Sequence, residues 1–135
     1  MEVESIRKGI LHLIPTPIGN NSPFQVIPIS VKKEISGLTD FIVESERSAR
    51  RFIKKIIPNK NQDELKIFLL NKFISKTELE NYLDPCFRGI SMGLLSDAGC
   101  PGIADPGALI VSKAHESGII VKPHVGPSSI ILALM

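Results

Sequence analysis

Cysteine is scarce in this chain. The two present among 135 residues, Cys86 and Cys100, form no CxxC pair and have no third partner. A disulfide framework is therefore excluded, and a reducing, cytoplasmic setting is expected. Long apolar runs are absent as well. The stretch from Gly9 to Ile14 is only as long as a strand, far short of the roughly 20 residues a membrane span needs, and no secretory signal opens the sequence. His12, His115 and His124 stand isolated, without ligand spacing, so no metal site is expected. There is no GxGxxG and no P-loop lysine motif, which leaves nucleotide hydrolysis and ordinary nicotinamide chemistry without support. Ser128 and Ser129 lack a GxSxG elbow. Cys100 has no accompanying histidine signature and reads as a small packing residue rather than a nucleophile.

What is present is an ordinary globular mix: 43% hydrophobic and 22% charged residues, enough to bury one core and make one compact domain. The net charge of +2 is small, but Arg47, Arg50, Arg51, Lys54 and Lys55 crowd one segment. At helical spacing they make a basic face, read either as a solvated surface or as a patch for phosphates.

Strands and helices alternate. Short apolar runs predict strands at Ile10–Ile14, Phe41–Val43, Lys66–Leu70, Met92–Leu95 and Ile119–Val121. Helices are expected over Ile29–Ile35, over Ser45–Ile57 with Pro58 as its stop, and over Lys76–Leu83, limited by Pro85. A fourth, through Leu109 and Ala114, has Asp105 as N-cap, Pro106 in its first turn and Gly118 as its stop. A last one runs from Ile130 to Met135. This order predicts an α/β fold: a mostly parallel five-stranded sheet flanked by helices. The final helix is wholly apolar and uncapped, which suggests a fragment or a surface needing a partner.

In such sheets ligands sit beyond the carboxyl ends of the strands, where three loops are expected. Pro15-Thr16-Pro17-Ile18-Gly19-Asn20 follows the first strand and is at least a stiff turn. The segment Ser96 to Gly107 follows the fourth, with three glycines, two prolines and two aspartates. A plain strand-to-helix connection needs about 2–6 residues, so a binding role is expected. Gly126-Pro127-Ser128-Ser129 follows the fifth and offers hydroxyls and backbone N–H groups at a helix start, for an anion or simply for capping.

Together these loops resemble the tetrapyrrole methylase superfamily, the class III methyltransferases. They are most similar to its ribosomal RNA small-subunit methyltransferase I branch. The resemblance is carried by Leu11 to Asn20, by Leu94 to Pro101 followed by Ala104-Asp105-Pro106-Gly107, and by Val125 to Ser129. It implies a two-domain enzyme, commonly a homodimer, that binds S-adenosylmethionine between its domains, with this chain as the N-terminal domain alone. After the second strand the branch usually carries an acidic–Asp-Thr-Arg stretch, where this chain has Glu44-Ser45-Glu46-Arg47. After the third it tends to have His-Asn, where Asn71-Lys72-Phe73 stands here, and threonine is more usual at Cys100.

The chemistry this resemblance implies is methyl transfer by in-line displacement, in which the protein mainly positions donor and acceptor. Backbone groups of Ala98, Gly99 and Ile103 are expected along the donor's methionine part, with Pro15 and Thr16 as a wall and Ser128 and Ser129 opposite. Asp97 is expected to hold the donor's amino group or to brace its own loop. Glu44 is the candidate base for a ribose hydroxyl, and Arg47 and Arg50 are candidates for the RNA substrate. Asp105 is read as a cap rather than a catalyst. Two other readings remain: a tetrapyrrole methyltransferase, since the fold does not fix the acceptor, and a non-catalytic remnant acting as an interaction module.

Overall fold

The computed structural model describes residues 7–71, 73–103 and 106–135. Five strands, β1 (Leu11–Ile14), β2 (Asp40–Val43), β3 (Lys66–Leu69), β4 (Met92–Leu95) and β5 (Val121–Pro123), form one sheet in the order β3-β2-β4-β1-β5. Every neighbouring pair is parallel. Among the described residues six α-helices accompany it: α1 (Ser30–Ser36), α2 (Glu46–Ile56), α3 (Lys76–Asn81), α4 (Asp84–Phe87), α5 (Gly107–Glu116) and α6 (Ser129–Leu134). The α/β architecture expected from the alternating pattern is the one observed.

Alternation along the strands splits the core into two layers. Phe41, Val43, Ile14 and Leu95 pack with Val31 and Ile35 of α1 and Ala49, Phe52, Ile53 and Ile56 of α2. Ile42, Leu11, Met92 and Leu94 pack on the other face with Leu79, Leu83, Cys86, Ile110 and Ala114. β2 and β4 are buried along their whole length, which is why their sequences read as unbroken apolar runs. Gly93 sits in register with Phe41, where a Cβ would come within 2.7 Å of the phenyl ring.

Local chemistry sets the helix ends. Ser45 accepts the Ser48 N–H at the start of α2, and Ser75 forms a reciprocal cap with Glu78 at the start of α3. Pro85 does not merely end the preceding helix. It stands in the first turn of the separate α4, where its missing N–H is not needed. Asp105, the expected cap of α5, lies outside the described residues, as do Ala104 and Lys72.

The fifth strand begins two residues later than its apolar run predicts. Gly118, at φ +72°, ends α5 with its N–H on the His115 carbonyl, and the Ile119 N–H reaches back to Ala114. This double bond is a Schellman motif. Ile119 is thus consumed by the helix end and buried beneath it, and pairing starts only at the Ile120 carbonyl, which accepts the Leu11 N–H.

This register also joins two histidines that look unrelated in sequence. His12 on β1 and His124, just after β5, meet with Nδ1 and Nε2 3.0 Å apart and rings stacked at 5.3 Å. Glu34 of α1 lies 3.9 Å from His12 and 3.3 Å from Lys122 of β5. Burial pushes both imidazoles below their ordinary value; the Glu34 carboxylate opposes this, and Lys122 adds to it. The His12–His124 contact is a single N–H···N bond, so a second proton breaks it.

Two expectations follow. Gly93→Val forces a side chain against Phe41 and lowers unfolding stability by about 1–3 kcal/mol in urea titration. In the pH series the unfolded chain takes up protons first, because the folded histidine pKa values are depressed. Stability is therefore full above about pH 7 and declines as pH falls through 6.5, the ordinary histidine value. Replacing both histidines by glutamine flattens that decline in denaturation curves taken between pH 7.5 and 5.5.

Candidate functional site

The loops leaving β1, β4 and β5 do not run independently. Thr16 and Gly99 form an isolated antiparallel bridge, with Thr16 N–H on the Gly99 carbonyl at 3.1 Å and Gly99 N–H on the Thr16 carbonyl at 2.9 Å. The Ser96 hydroxyl lies 2.9 Å from the same Gly99 carbonyl, and the Thr16 hydroxyl donates to the Ser96 carbonyl. Gly99 adopts φ +75°, and a Cβ there would stand 3.1 Å from the Pro127 carbonyl oxygen. At Gly126 a Cβ would fall 2.1 Å from Cβ of Pro15, so the β5 loop crosses directly over the proline ring. Cys100 completes the junction, its Sγ 3.2 Å from the Pro127 carbonyl. Its thiol pKa is raised by burial, and that of Cys86 is pushed up to about 11 by burial and by Asp40. Neither favours the thiolate form, in keeping with a packing role.

Beside this junction a cavity of about 170 Å³ opens at the carboxyl ends of β1, β2 and β4. Thr16, Pro17, Glu44, Ser45, Ser96 and Asp97 line it from the strand ends; Ser48, Arg51, Phe52 and Lys55 line it from α2. The chain leaves β1 and β2 toward the layer of α1 and α2, but leaves β4 toward the layer of α5. The cavity therefore lies where the connections diverge, the place where open parallel sheets take their ligands.

The expected site residues fall into four groups. Pro15, Thr16 and Gly99 are brought together, but their backbone and ring surfaces hold the junction itself. Glu44 and Asp97 face the cavity, and the Glu44 carboxylate accepts the Asp97 N–H at 3.0 Å. Ala98 and Ile103 are exposed on the β4 loop, and Ser129 is exposed at the start of α6. Ser128 caps α6 by accepting the Ile131 N–H. The two candidate arginines stand outside the cavity. Arg47 is exposed, and Arg50 is held by Glu46 at 3.0 Å and by the Gln62 carbonyl at 2.7 Å. Arg51 and Lys55, which line it, belong to the basic face that the sequence offers as a patch for phosphates, whereas Ser48, which also lines it, was not singled out. Their signal was their common stripe on α2, three and four residues apart, on a helix that starts at the carboxyl end of β2.

No family model matches the chain. Curated relatives do. It is 34% identical over 127 residues to the ribosomal RNA small subunit methyltransferase I of Leptospira biflexa, covering 94% of this chain and 50% of that protein. The proteins of the same name from Xylella fastidiosa and Vibrio cholerae are 32% and 31% identical over 93% of the chain, which covers 43% and 41% of them. Over nearly its whole length the chain is thus similar to proteins named ribosomal RNA small subunit methyltransferase I. It spans about half the length, or less, of these relatives. Among the described residues no helix is long and apolar enough to cross a membrane, and no cluster of His, Cys, Asp and Glu is arranged to hold a metal ion.

The junction makes a sharp prediction. Gly126→Ala drives a methyl group into Pro15 and costs about 1–3 kcal/mol. Amide hydrogen exchange should show Thr16 and Gly99 losing protection while Leu94, in mid-sheet, keeps it. Equal protection at all three sites would mean that the loops are not locked through Gly126.

Proposed function

We propose that this chain forms the first half of an S-adenosylmethionine-dependent methyltransferase acting on small-subunit ribosomal RNA. The observation that carries this reading is the junction of the β1, β4 and β5 loops beside a polar cavity, in a chain related over 93–94% of its length to proteins of that name.

The residues present suit part of such a cofactor. The exposed Asp97 carboxylate complements the donor's ammonium group, while Ala98 and Ile103 leave backbone and apolar surface open beside it. Ser128 and Ser129 stand at the start of α6, directly after Pro127, whose carbonyl lies beside Gly99. The half-open cavity of about 170 Å³ is below the roughly 300–1,000 Å³ of ordinary ligand sites, so this chain supplies only some of the walls. The exposed apolar side chains Ile131, Leu132 and Leu134 of α6 give a second domain, or a second copy, a surface to pack on.

When bound, the sulfonium cofactor supplies an activated methyl group. This chain holds the acceptor in line, keeps water out and accepts a proton. Glu44 is our candidate for the last role, its carboxylate accepting the Asp97 N–H at the cavity wall. Arg47 and Arg50 extend the basic surface of α2 beyond the cavity.

Calorimetric titration of the chain with S-adenosylmethionine and S-adenosylhomocysteine tests the donor site. Binding is expected, and Gly99→Asp should weaken it at least about tenfold by breaking the Thr16 bridge. Transfer of labelled methyl from the cofactor to small-subunit ribosomal RNA, compared with a uroporphyrin-type acceptor, tests the substrate. Label on the tetrapyrrole alone would replace this reading, and no cofactor binding by the folded chain would leave it a non-catalytic module.

A further inference from the structure

The α2 wall of the cavity carries two positive charges, and the carboxylates Glu44 and Asp97 line the same cavity. Ser48, Arg51 and Lys55 lie at positions i, i+3 and i+7 of α2, and all three line the cavity. Their neighbour Arg50 is bound to Glu46 and to the Gln62 carbonyl. Among the described residues, Arg51 and Lys55 take part in no ion pair. The facing carboxylate, Glu44, is engaged with the Asp97 N–H. The formal charges of the lining balance, and the two cations stand together on its α2 side, where an anion can reach both. The space is too small for a nucleoside together with a cofactor, but it admits a phosphodiester group. An arginine fork, a lysine point charge and a serine hydroxyl are the donor set such a group requires.

We propose that Ser48, Arg51 and Lys55 form a phosphate subsite. It grips a backbone phosphodiester of the RNA acceptor next to the nucleotide presented at Glu44. This rests on the reading of the chain as part of an RNA methyltransferase and adds an anchor to it. The donor then lies on the β5 side of the β4 loop and the acceptor backbone on its β2 side, with Glu44 at the boundary.

The test uses the 135-residue chain and a fluorescein-labelled single-stranded RNA of small-subunit ribosomal sequence, followed by anisotropy between 50 and 300 mM KCl. Arg51→Gln and Lys55→Gln should each weaken binding about tenfold. Each should also lower the slope of log K against log salt by about 0.7, one phosphate contact on a single strand. Lys32→Gln, on α1 outside the cavity, should change neither. Circular dichroism confirms that each variant is folded. Inorganic phosphate, titrated while backbone amide shifts are recorded, should move Ser48, Arg51 and Lys55 in the wild type and not in the double variant.

Unchanged affinity and slope in the double variant overturn the proposal, as does a wild type that binds no RNA. Phosphate shifts on the stripe without RNA binding would assign the recess to free phosphate and also overturn it. Titration with S-adenosylmethionine separates the two readings. If RNA and phosphate behave as expected but the cofactor does not bind, the subsite stands and the methyltransferase reading falls.

Discussion

The contact between Gly126 and the ring of Pro15 is the constraint on which the ligand-facing end of the molecule depends. Three connections leave the sheet there from β4, β1 and β5, bound for helices in different layers. Left to themselves, such loops fluctuate independently. Here a proline of fixed shape is covered by a residue with no side chain, and the Thr16–Gly99 bridge closes the other side. The loops thus behave as one body, which reactions that depend on placing two partners require. The backbone N–H and carbonyl groups of Thr16 and Gly99 bond to each other, while Thr16 also lines the cavity.

The β4 loop carries exposed Ala98 and Ile103. Asp97, on the same loop, holds Glu44 at the cavity through its N–H, and Arg51 and Lys55 of α2 belong to the same lining. Two carboxylates and two cations thus share one recess.

Much of this was legible in the sequence, for physical reasons. Strands buried on both faces leave unbroken apolar runs, and β2 and β4 are such strands. The loops announced themselves through glycine and proline, because close backbone approaches need the one and stiff exits the other. The fifth strand was misplaced because Ile119, apolar enough for a strand, is buried as the closing residue of a helix, while the true strand is half exposed. The two histidines stayed hidden because their meeting depends on the β1–β5 register across 112 residues. The distinction between Arg50 and Arg51 was equally invisible. It rests on the Gln62 carbonyl, supplied by the turn after α2. Sequence spacing gives the stripe on a helix but not which of its charges another segment neutralises.

The Schellman ending of α5 has a consequence at the edge of the sheet. Because pairing begins at the Ile120 carbonyl and resumes at the His124 N–H, residues 120, 122 and 124 turn their backbone groups toward β1. Pro123 must then face outward. Its missing N–H falls on the open rim, where an incoming strand would look for a donor. That margin of the sheet is blunted against templated growth, and the exposed β3 at the far side remains the margin where another strand could add.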